Sequence, residues 1–257
     1  MNNDISNLAI VTYTNSNCED IWPVYFGQID KFGNKIKSYA FSDKNPEKVT
    51  VSNNHNFVIY DNNEPYYSQY NECLKSVSED YVVYCQEDFL LTDNIDYGEI
   101  ERCIKVLSST DYSFVRLVRT DIGAWKHYKQ CRKRNWEKIE LDKNIFCAHS
   151  TDFDAFSFQM QATIWKKKDI IKLYDHVRSQ KWLENRDWDK GVRDTDTKGA
   201  YYYKDSEQEG PYHWAPEIWP HVCTAVGRGK WSLSLHGERL LDILNEYDID
   251  PRTRGVR

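Results

Sequence analysis

The sequence contains no Cys-x-x-Cys or Cys-x-x-His pair, and this argues against a structural zinc site. Its seven cysteines are odd in number and irregularly spaced, a pattern typical of free thiols in a reducing compartment. No apolar run reaches the length of a membrane span, and residues 1–7 lack the basic and apolar parts of a secretory leader. We therefore expect a cytoplasmic protein with no transmembrane segment.

The chain also lacks an excess of basic residues. It has 34 Lys and Arg against 40 Asp and Glu, which gives a net charge of −6. A broad nucleic-acid-binding surface would need a basic face, so no nucleic acid partner is expected. One basic cluster lies between Lys126 and Lys138, and it could either contact phosphates or form a solvated loop or helix face.

Aromatic residues, in contrast, are abundant, with nine Trp and eighteen Tyr. Tyr and Trp have an apolar body and a polar tip, so they can stack on sugars or nucleobases and still form hydrogen bonds. The alternative is that most of them fill an aromatic-rich core. In either case the 257 residues, 40% of them hydrophobic, are enough for one large domain or two small ones with a substantial core.

Strand and helix patterns alternate in the first half of the chain. The predicted strands are 8–12, 36–41, 57–60 and 81–85, and the predicted helices are 20–32 and 66–77. This order indicates an α/β protein with a mainly parallel central sheet flanked by helices. In the second half, the patterns predict strands at 156–164, 218–226 and 230–235, a helix at 238–247 and a mobile tail at 250–257.

Polar residues follow the predicted strands of the first half. They are Thr12, Asp43, Asp61, Glu87 and Asp88. Ligands of parallel α/β sheets bind at the carboxyl ends of the strands. The convergence of these side chains therefore predicts a binding site along that edge of the sheet.

Glu87 and Asp88 directly follow the strongly apolar strand 81–85. Hard carboxylate oxygens suit Mg²⁺ or Mn²⁺, and such a cation can neutralise a diphosphate leaving group. His221 could complete the coordination of the metal, with His236 as the competing candidate. The alternative is that the two acids are exposed turn residues or helix N-caps, which are common after strands.

Two later segments contain candidate sugar-binding and catalytic residues. Gln159 and Gln161 share one face of the predicted strand and, with Trp165, could bind a sugar; the alternative is a buried strand whose Trp165 anchors the next helix. Trp182 lies two residues before Glu184, and an acid flanked by Trp could be the general base that deprotonates an acceptor hydroxyl. The alternative for this second segment is a salt-bridged surface.

The segment 219–231 combines glycines with basic residues. Gly227 and Gly229 would let the backbone approach a ligand closely, and Arg228 and Lys230 could contact phosphates. The alternative is a hairpin turn with ordinary basic flanks.

Taken in order, these pieces resemble a family of small bacterial and viral GT-A glycosyltransferases. The matching elements are the strand 8–12, the strand end Gln86-Glu87-Asp88-Phe89, the segment 158–166, Trp182-x-Glu184 and Gly229-Lys230-Trp231. The resemblance spans most of the chain. It implies an enzyme that moves a sugar from a nucleotide-sugar donor to a glycan or another acceptor with a hydroxyl group.

The resemblance also implies roles for the candidate residues. Mn²⁺ or Mg²⁺ would be held by Asp88 with Glu87 or Gln86 assisting, although the Asp-x-Asp motif usual in GT-A enzymes is missing. Glu184 as the base would fit an inverting reaction, in which the acceptor hydroxyl attacks the anomeric carbon directly. Residues 1–120 would form the donor-binding half of the domain and residues 121–257 the acceptor-side half.

A donor pocket and an acceptor site complete this interpretation. The expected donor-binding residues are Thr12, Tyr13, Asp43, Asp61, Gln86, Arg228 and Lys230. The expected acceptor-binding residues are Gln159, Gln161, Trp165 and Trp182.

Two other functions stay open. A nucleotidyltransferase can use a similar sheet and metal, but it would normally have a glycine-rich, basic segment near the first strand, and residues 12–17 contain no glycine. A non-catalytic carbohydrate-binding or scaffold protein on the same sheet would suit the aromatic content. A nuclease is not favoured, because Asp88 and Glu137-Lys138 do not have the required spacing.

Overall fold

The computed structural model describes residues 5–47, 49–117, 137–149, 162–176, 197–202, 208–209, 213–214, 217–222 and 224–257. The helices in these ranges are α1 (Trp22–Phe32), α2 (Tyr66–Lys75), α3 (Tyr97–Ser109), α4 (Lys167–His176), α5 (Leu233–Glu246) and α6 (Pro251–Arg254). The strands are β1 (Leu8–Tyr13), β2 (Lys37–Ser42), β3 (His55–Ile59), β4 (Tyr81–Cys85), β5 (Leu90–Leu91), β6 (Phe114–Arg116), β7 (Glu137–Asp142), β8 (Ile145–His149), β9 (Thr163–Lys166), β10 (Gly199–Tyr202), β11 (Gln208–Glu209), β12 (His213–Trp214), β13 (His221–Val222), β14 (Val226–Gly227) and β15 (Lys230–Trp231).

Nine of these strands form the central sheet of the described chain, in the order β3-β2-β1-β4-β9-β6-β10-β8-β7. The first four pair in parallel, β9 is antiparallel to both β4 and β6, and β10 is parallel to β6. Since β8 is antiparallel to β10 and to β7, only β8 and β9 run against the other seven strands. The predicted α/β fold with a mainly parallel central sheet is therefore confirmed.

Both faces of the sheet are covered by helices, and the strands alternate accordingly. Along β1, Leu8 and Ile10 belong to one core, whereas Ala9 and Val11 belong to the other. The first core contains residues of α1, α3 and α5, and the second contains residues of α2 and α4. This burial on both faces explains why β1 and β4 are continuous apolar runs.

The second core shows that several of the abundant aromatic residues fill the interior of the protein. Tyr66, Tyr70, Tyr84 and Tyr174 are buried there and contact one another. Trp165, predicted to bind an acceptor, is only 2% exposed, and its ring lies 4.5 Å from that of Phe114. These aromatic side chains fill the core, as in the alternative interpretation, and Trp165 is packed inside the sheet-helix layer.

The C-terminal quarter differs most from the sequence prediction. Instead of long strands, the chain forms the short β13, β14 and β15, because Thr224 and Arg228 adopt positive φ angles of 56° and 52° that interrupt an extended backbone. Helix α5 begins at Leu233, five residues earlier than predicted, and a non-helical Gly237 divides it.

The expectation of a mobile tail was wrong. Asp250 caps α6 by accepting a hydrogen bond from the Arg252 amide, and Pro251 suits the first turn of that helix. The residues after α6 then form a parallel bridge between Val256 and Trp231. The Asp250 cap and Pro251 are local signals that the sequence interpretation missed, whereas the bridge to Trp231 joins the tail to a distant part of the chain and gave no local signal.

A buried histidine generates a pH prediction for the fold. The His55 side chain is 1% exposed, its Nε2 lies 3.4 Å from Asp30 Oδ2, and burial lowers the pKa of this histidine from the ordinary value of 6.5. The unfolded state therefore binds more protons than the native state just below pH 6.5, so stability falls as pH decreases there. We expect His55→Gln to lose less stability than the wild type between pH 7.5 and 5.5 in urea unfolding. Equal losses for both proteins would contradict this assignment.

Candidate active site

The loop after β1 is held by an aspartate from the neighbouring strand. We call residues 14–20 the first loop; it contains a 3₁₀ turn, Ser16–Cys18. Asp43, which follows β2, accepts hydrogen bonds from the Ser16 amide (2.7 Å) and the Ser16 hydroxyl (2.8 Å). Partial burial opposes ionisation of Asp43, but the hydrogen bonds from Ser16 outweigh it and lower its pKa. Asp43 thus fixes the position of the first loop.

The two predicted donor residues at the end of β1 have different environments. Thr12 is fully buried, and its Oγ1 lies 2.6 Å from the hydroxyl of Tyr25. Tyr13 is only partly buried; its ring stacks on Tyr60 with centroids 5.0 Å apart, and its hydroxyl donates to Gln69 Oε1. Tyr13 therefore lies nearer the surface and presents an aromatic ring there, whereas Thr12 packs inside the protein against Tyr25.

Asp61 lies away from the acid pair formed by Glu87 and Asp88. It is exposed and accepts a hydrogen bond from the Asn63 amide at 2.9 Å. Together with Gln69 and other residues of β3 and α2, it lines a cleft of about 280 Å³ to which neither Glu87 nor Asp88 contributes. The structure does not bring Asp61 together with the two acids that follow β4.

The acid pair lies in a tight turn at the end of β4. The turn is closed by a hydrogen bond from the Phe89 amide to the Gln86 carbonyl at 3.0 Å. The Asp88 carbonyl accepts from the Ala225 amide at 3.0 Å, and the Val226 amide lies close enough to the Asp88 carboxylate to lower its pKa. One carboxylate atom, Oδ1, is inaccessible to solvent and has no hydrogen-bond partner in the part of the chain that the structure describes.

The environment of the acid pair disfavours two negative charges. Burial raises the pKa of Glu87, and a hydrogen bond from the Cys18 thiol and the nearby charge of Arg254 only partly offset this. Burial, and then the charge of Glu87, raise the pKa of Asp88 to about 8. Without a cation nearby, the pair therefore retains a proton at neutral pH.

His221 approaches the acid pair through a short sheet. It lies on β13, which pairs with β5 so that His221 faces Leu91, and its ring centroid is 5.3 Å from that of Phe89. Its Nδ1 donates to the Trp219 carbonyl at 2.7 Å, because a carbonyl can only accept, and this makes Nε2 the acceptor of the ring.

The basic residues of this region lie on a hairpin, β14–β15, which we call the basic hairpin. Its two turn residues, Arg228 and Gly229, have positive φ angles of 52° and 75°, the geometry of a type I′ turn. Arg228 and Lys230 are exposed. Gly227 was expected to admit a ligand, but an added Cβ would lie 2.3 Å from Cζ of Arg257, so this glycine admits a side chain of the protein itself.

Glu87, Asp88 and His221 are the predicted ligands of a divalent metal ion. No three His, Cys, Asp or Glu side chains among the described residues converge on one point, so Glu87, Asp88 and His221 do not form a ready-made set of ligands. However, Mg²⁺ is commonly held by one or two carboxylates, several waters and the phosphates of a substrate. The acid pair, with its buried and unpartnered Oδ1, fits a cation that binds together with a diphosphate.

Four predicted site residues, Gln159, Gln161, Trp182 and Glu184, lie outside the described residues. Conversely, the sequence interpretation missed Cys18 and Arg254 as neighbours of Glu87. Cys18 belongs to the first loop, whose closeness to the acid pair follows from the parallel sheet. Arg254 gave no signal, because its partner Asp20 is 234 positions away in the sequence.

The order of the nine strands and the helices on both faces of the sheet define a Rossmann-like α/β fold. No protein-family model and no curated protein matches the sequence. Among solved structures, a CMP:2-keto-3-deoxy-manno-octonic acid synthetase complexed with CTP superimposes with a TM-score of 0.50 at 9% identity, over 80% of this chain and 92% of that chain. Such low identity shows a common fold and leaves the function to be argued from the site.

Two further structures are similar. The galactosyltransferase LgtC, in complex with donor and acceptor sugar analogs, has a TM-score of 0.48 and 13% identity over 95% of this chain and 98% of that chain. The bifunctional IspDF from Campylobacter jejuni has a TM-score of 0.43 and 13% identity over 82% of this chain, and the match spans 52% of that longer chain.

Within the described ranges, no helix is both long and apolar enough to cross a bilayer.

The raised pKa of Asp88 gives a prediction for the metal-free protein. Between the ordinary value of 3.8 and about 8, the native state binds more protons at this site than the unfolded state, so stability falls as pH rises through that interval. Asp88→Asn stays neutral and should be more stable than the wild type at pH 8, by on the order of 2 kcal/mol. Urea unfolding in EDTA at pH 5 and pH 8 measures the difference.

The matched control for this measurement is Asp93→Asn, the same change at an exposed position beyond β5. This control should follow the pH dependence of the wild type. If the stability of Asp88→Asn relative to the wild type is the same at pH 5 and at pH 8, then the carboxylate of Asp88 is not buried beside a second acid in solution.

Proposed function

We propose that this protein is a metal-assisted glycosyltransferase that moves a sugar from a nucleotide-sugar donor to a hydroxyl acceptor. The observation that carries the proposal is the acid pair: two carboxylates at the carboxyl end of β4, one of them with a buried and unpartnered oxygen, bound through Asp88 to the base of the basic hairpin. The hydrogen bond from the Ala225 amide to the Asp88 carbonyl thereby joins the acid pair to the hairpin that carries Arg228 and Lys230, at the edge of the sheet where ligands of such folds bind.

In this proposal the donor diphosphate lies between the acid pair and the basic hairpin. Mn²⁺ or Mg²⁺ held by Asp88 and Glu87 would neutralise the charge that develops on the departing diphosphate. Arg228 and Lys230, which are exposed on the hairpin, would bind the phosphate oxygens from the other side. His221 would support the acid pair through its packing on Phe89.

The nucleoside would bind beside the first loop. The ring of Tyr13, stacked on Tyr60, offers an aromatic surface for the base. Asp43 keeps the loop in place through Ser16, Thr12 supports β1 from inside, and Gln86 forms the turn that carries the acids. Asp61 would have a more peripheral part, because its cleft is separate from the acid pair.

The reaction would be a direct displacement. Glu184 would take the proton of the acceptor hydroxyl, whose oxygen forms a bond to the anomeric carbon while the bond from that carbon to the diphosphate breaks. The nucleoside diphosphate leaves with the electron pair, and the configuration at the anomeric carbon is inverted. Gln159, Gln161 and Trp182 would orient the acceptor; the buried Trp165 would act only by supporting β9.

The first loop also bears on the nucleotidyltransferase alternative. A triphosphate is usually cradled by backbone amides that point into a glycine-rich loop. Here four amides of the first loop donate to acceptors within the protein. The Thr14 amide donates to the Phe41 carbonyl, and the Ser16 amide donates to Asp43 Oδ1. The amides of Asn17 and Cys18 both donate to Asn15, to its side-chain Oδ1 and to its carbonyl. These amides are already used within the protein, which favours a donor with a diphosphate bound mainly by the metal and the basic hairpin.

The proposal predicts that metal and nucleotide stabilise the protein together. Because two protein carboxylates alone hold a cation weakly, Mn²⁺ by itself should raise the melting temperature little, and Mn²⁺ with the matching nucleotide should raise it by several degrees. The measurement is a thermal-shift screen of UDP-, GDP-, CMP- and dTDP-sugars, and of CTP and UTP, with and without Mn²⁺, followed by assays of donor hydrolysis.

Asp88→Ala should abolish both the shift and the transfer, whereas Asp93→Ala, an equivalent change at an exposed acid, should retain both. Retained activity in Asp88→Ala would count decisively against the metal assignment. A response to triphosphates alone would support a nucleotidyltransferase, and a response to free sugars alone would support a carbohydrate-binding protein.

The proposed base is tested separately. Glu184→Gln should remove turnover, by at least about 100-fold, but keep the thermal shift with Mn²⁺ and donor, because an amide fills the same space without accepting a proton. The measurements are the rate of transfer and the affinity for the donor. Weaker donor binding in this variant would show that Glu184 contacts the donor instead.

A further inference from the structure

We propose that residues 250–257 form a strap that holds the first loop and the basic hairpin beside the acid pair, and that Arg254 is its positioning residue. The strap would keep the first loop and the basic hairpin in the arrangement that the donor requires. The link to the donor rests on the proposed function, whereas the link between the strap and the two loops stands on the contacts alone.

One end of the strap holds the first loop. Arg254 Nε donates to Asp20 Oδ2 at 2.7 Å, its Nη2 donates to the second oxygen of that carboxylate, and Nη2 also lies 3.4 Å from the Asn17 carbonyl. The Arg254 side chain is only 12% exposed. A paired guanidinium in a partly buried place gives a directional contact, so Arg254 fixes the loop rather than acting as a ligand for phosphate.

The other end of the strap holds the basic hairpin. The Trp231 amide donates to the Gly255 carbonyl, and the Arg257 amide donates to the Trp231 carbonyl, both at 3.0 Å. The side chain of Arg257 packs directly over Gly227, and its Nε donates to Ser232 Oγ at 3.1 Å. Residues 255–257 thus lie beside the hairpin, joined to it by the single parallel bridge between Val256 and Trp231.

Each of the two loops in turn contacts one acid. The Cys18 thiol of the first loop lies beside the Glu87 carboxyl group and lowers its pKa. The Ala225 amide, at the base of the basic hairpin, donates to the Asp88 carbonyl at 3.0 Å. A displacement of either loop would therefore change the surroundings of the acid that it contacts, and the strap is the segment that touches both loops.

The test compares two arginines of the same helix. Arg254→Gln and Asp20→Asn break the contact to the first loop from its two sides. Arg252→Gln is the matched control, because Arg252 is 86% exposed and, among the described residues, its side chain bonds only to Asp250 at the start of its own helix. Hydrogen exchange of the metal-free proteins reports on the amides of residues 14–20 and 224–231.

We expect exchange in the first loop to become about tenfold faster in Arg254→Gln and in Asp20→Asn, with a smaller increase in the basic hairpin and wild-type rates in Arg252→Gln. Wild-type rates in both Arg254→Gln and Asp20→Asn would overturn the strap. A uniform increase across the central sheet would overturn it as well, because that pattern indicates a general loss of stability.

The role in donor binding has its own readout. UDP, GDP and dTDP are titrated with Mn²⁺, and each nucleotide that binds the wild type should bind Arg254→Gln about tenfold more weakly, with partial recovery in Arg254→Lys. Unchanged affinity in Arg254→Gln would overturn the positioning role. If none of the three binds the wild type, the proposed function is what fails, and the exchange rates still decide whether the strap exists.

Discussion

Burying the carboxylate of Asp88 beside that of Glu87 is unfavourable without a cation, because desolvation and the neighbouring charge both oppose ionisation. The surrounding structure reduces this penalty but does not remove it. The Val226 amide lowers the pKa of Asp88 and the Cys18 thiol lowers the pKa of Glu87, yet the pKa of each acid stays raised. A chain that needed only to fold would be served better by a neutral residue at position 88.

The position of the acid pair follows from the geometry of a parallel sheet. Because β1, β2 and β4 run side by side in one direction, the loops that follow them must emerge at the same edge. This brings the first loop, Asp43 and the acid pair together although they are far apart in the sequence. The basic hairpin joins them from the other side, through the hydrogen bond from the Ala225 amide to the Asp88 carbonyl. The site is thus assembled mainly by backbone direction and backbone hydrogen bonds.

This origin explains how much could be predicted from the sequence. Local signals were sufficient for β1 and β4, whose apolar runs reflect burial on both faces, and for the acids that follow β4. They were insufficient where a residue type fits two environments. Trp165 has the same local pattern whether it lines a surface or packs on Phe114, and Gly227 looks the same whether it admits a ligand or the side chain of Arg257.

Tertiary contacts decide these cases, and they also decide the state of the C-terminal tail. Its composition is polar and charged, which is typical of a mobile terminus, but Asp250, Arg254 and Arg257 each have a specific partner in the fold. Ion pairs on a surface are usually weak; however, Arg254 combines two bonds to one carboxylate with low exposure, so it can hold a loop in place.

Under the proposed function, a site of this kind would couple the binding of metal and nucleotide. Two carboxylates with raised pKa values must lose a proton before they can hold a divalent cation, which lowers the affinity of the protein for the metal alone. A diphosphate that brings further oxygen ligands makes the same cation easier to bind, and the cation in turn offsets the repulsion between Glu87 and Asp88. The amides of Thr14, Ser16, Asn17 and Cys18 in the first loop are already bonded within the protein and cannot take over this role. Under the proposed function, the acid pair would therefore be half of a metal site, and the donor would supply the other half.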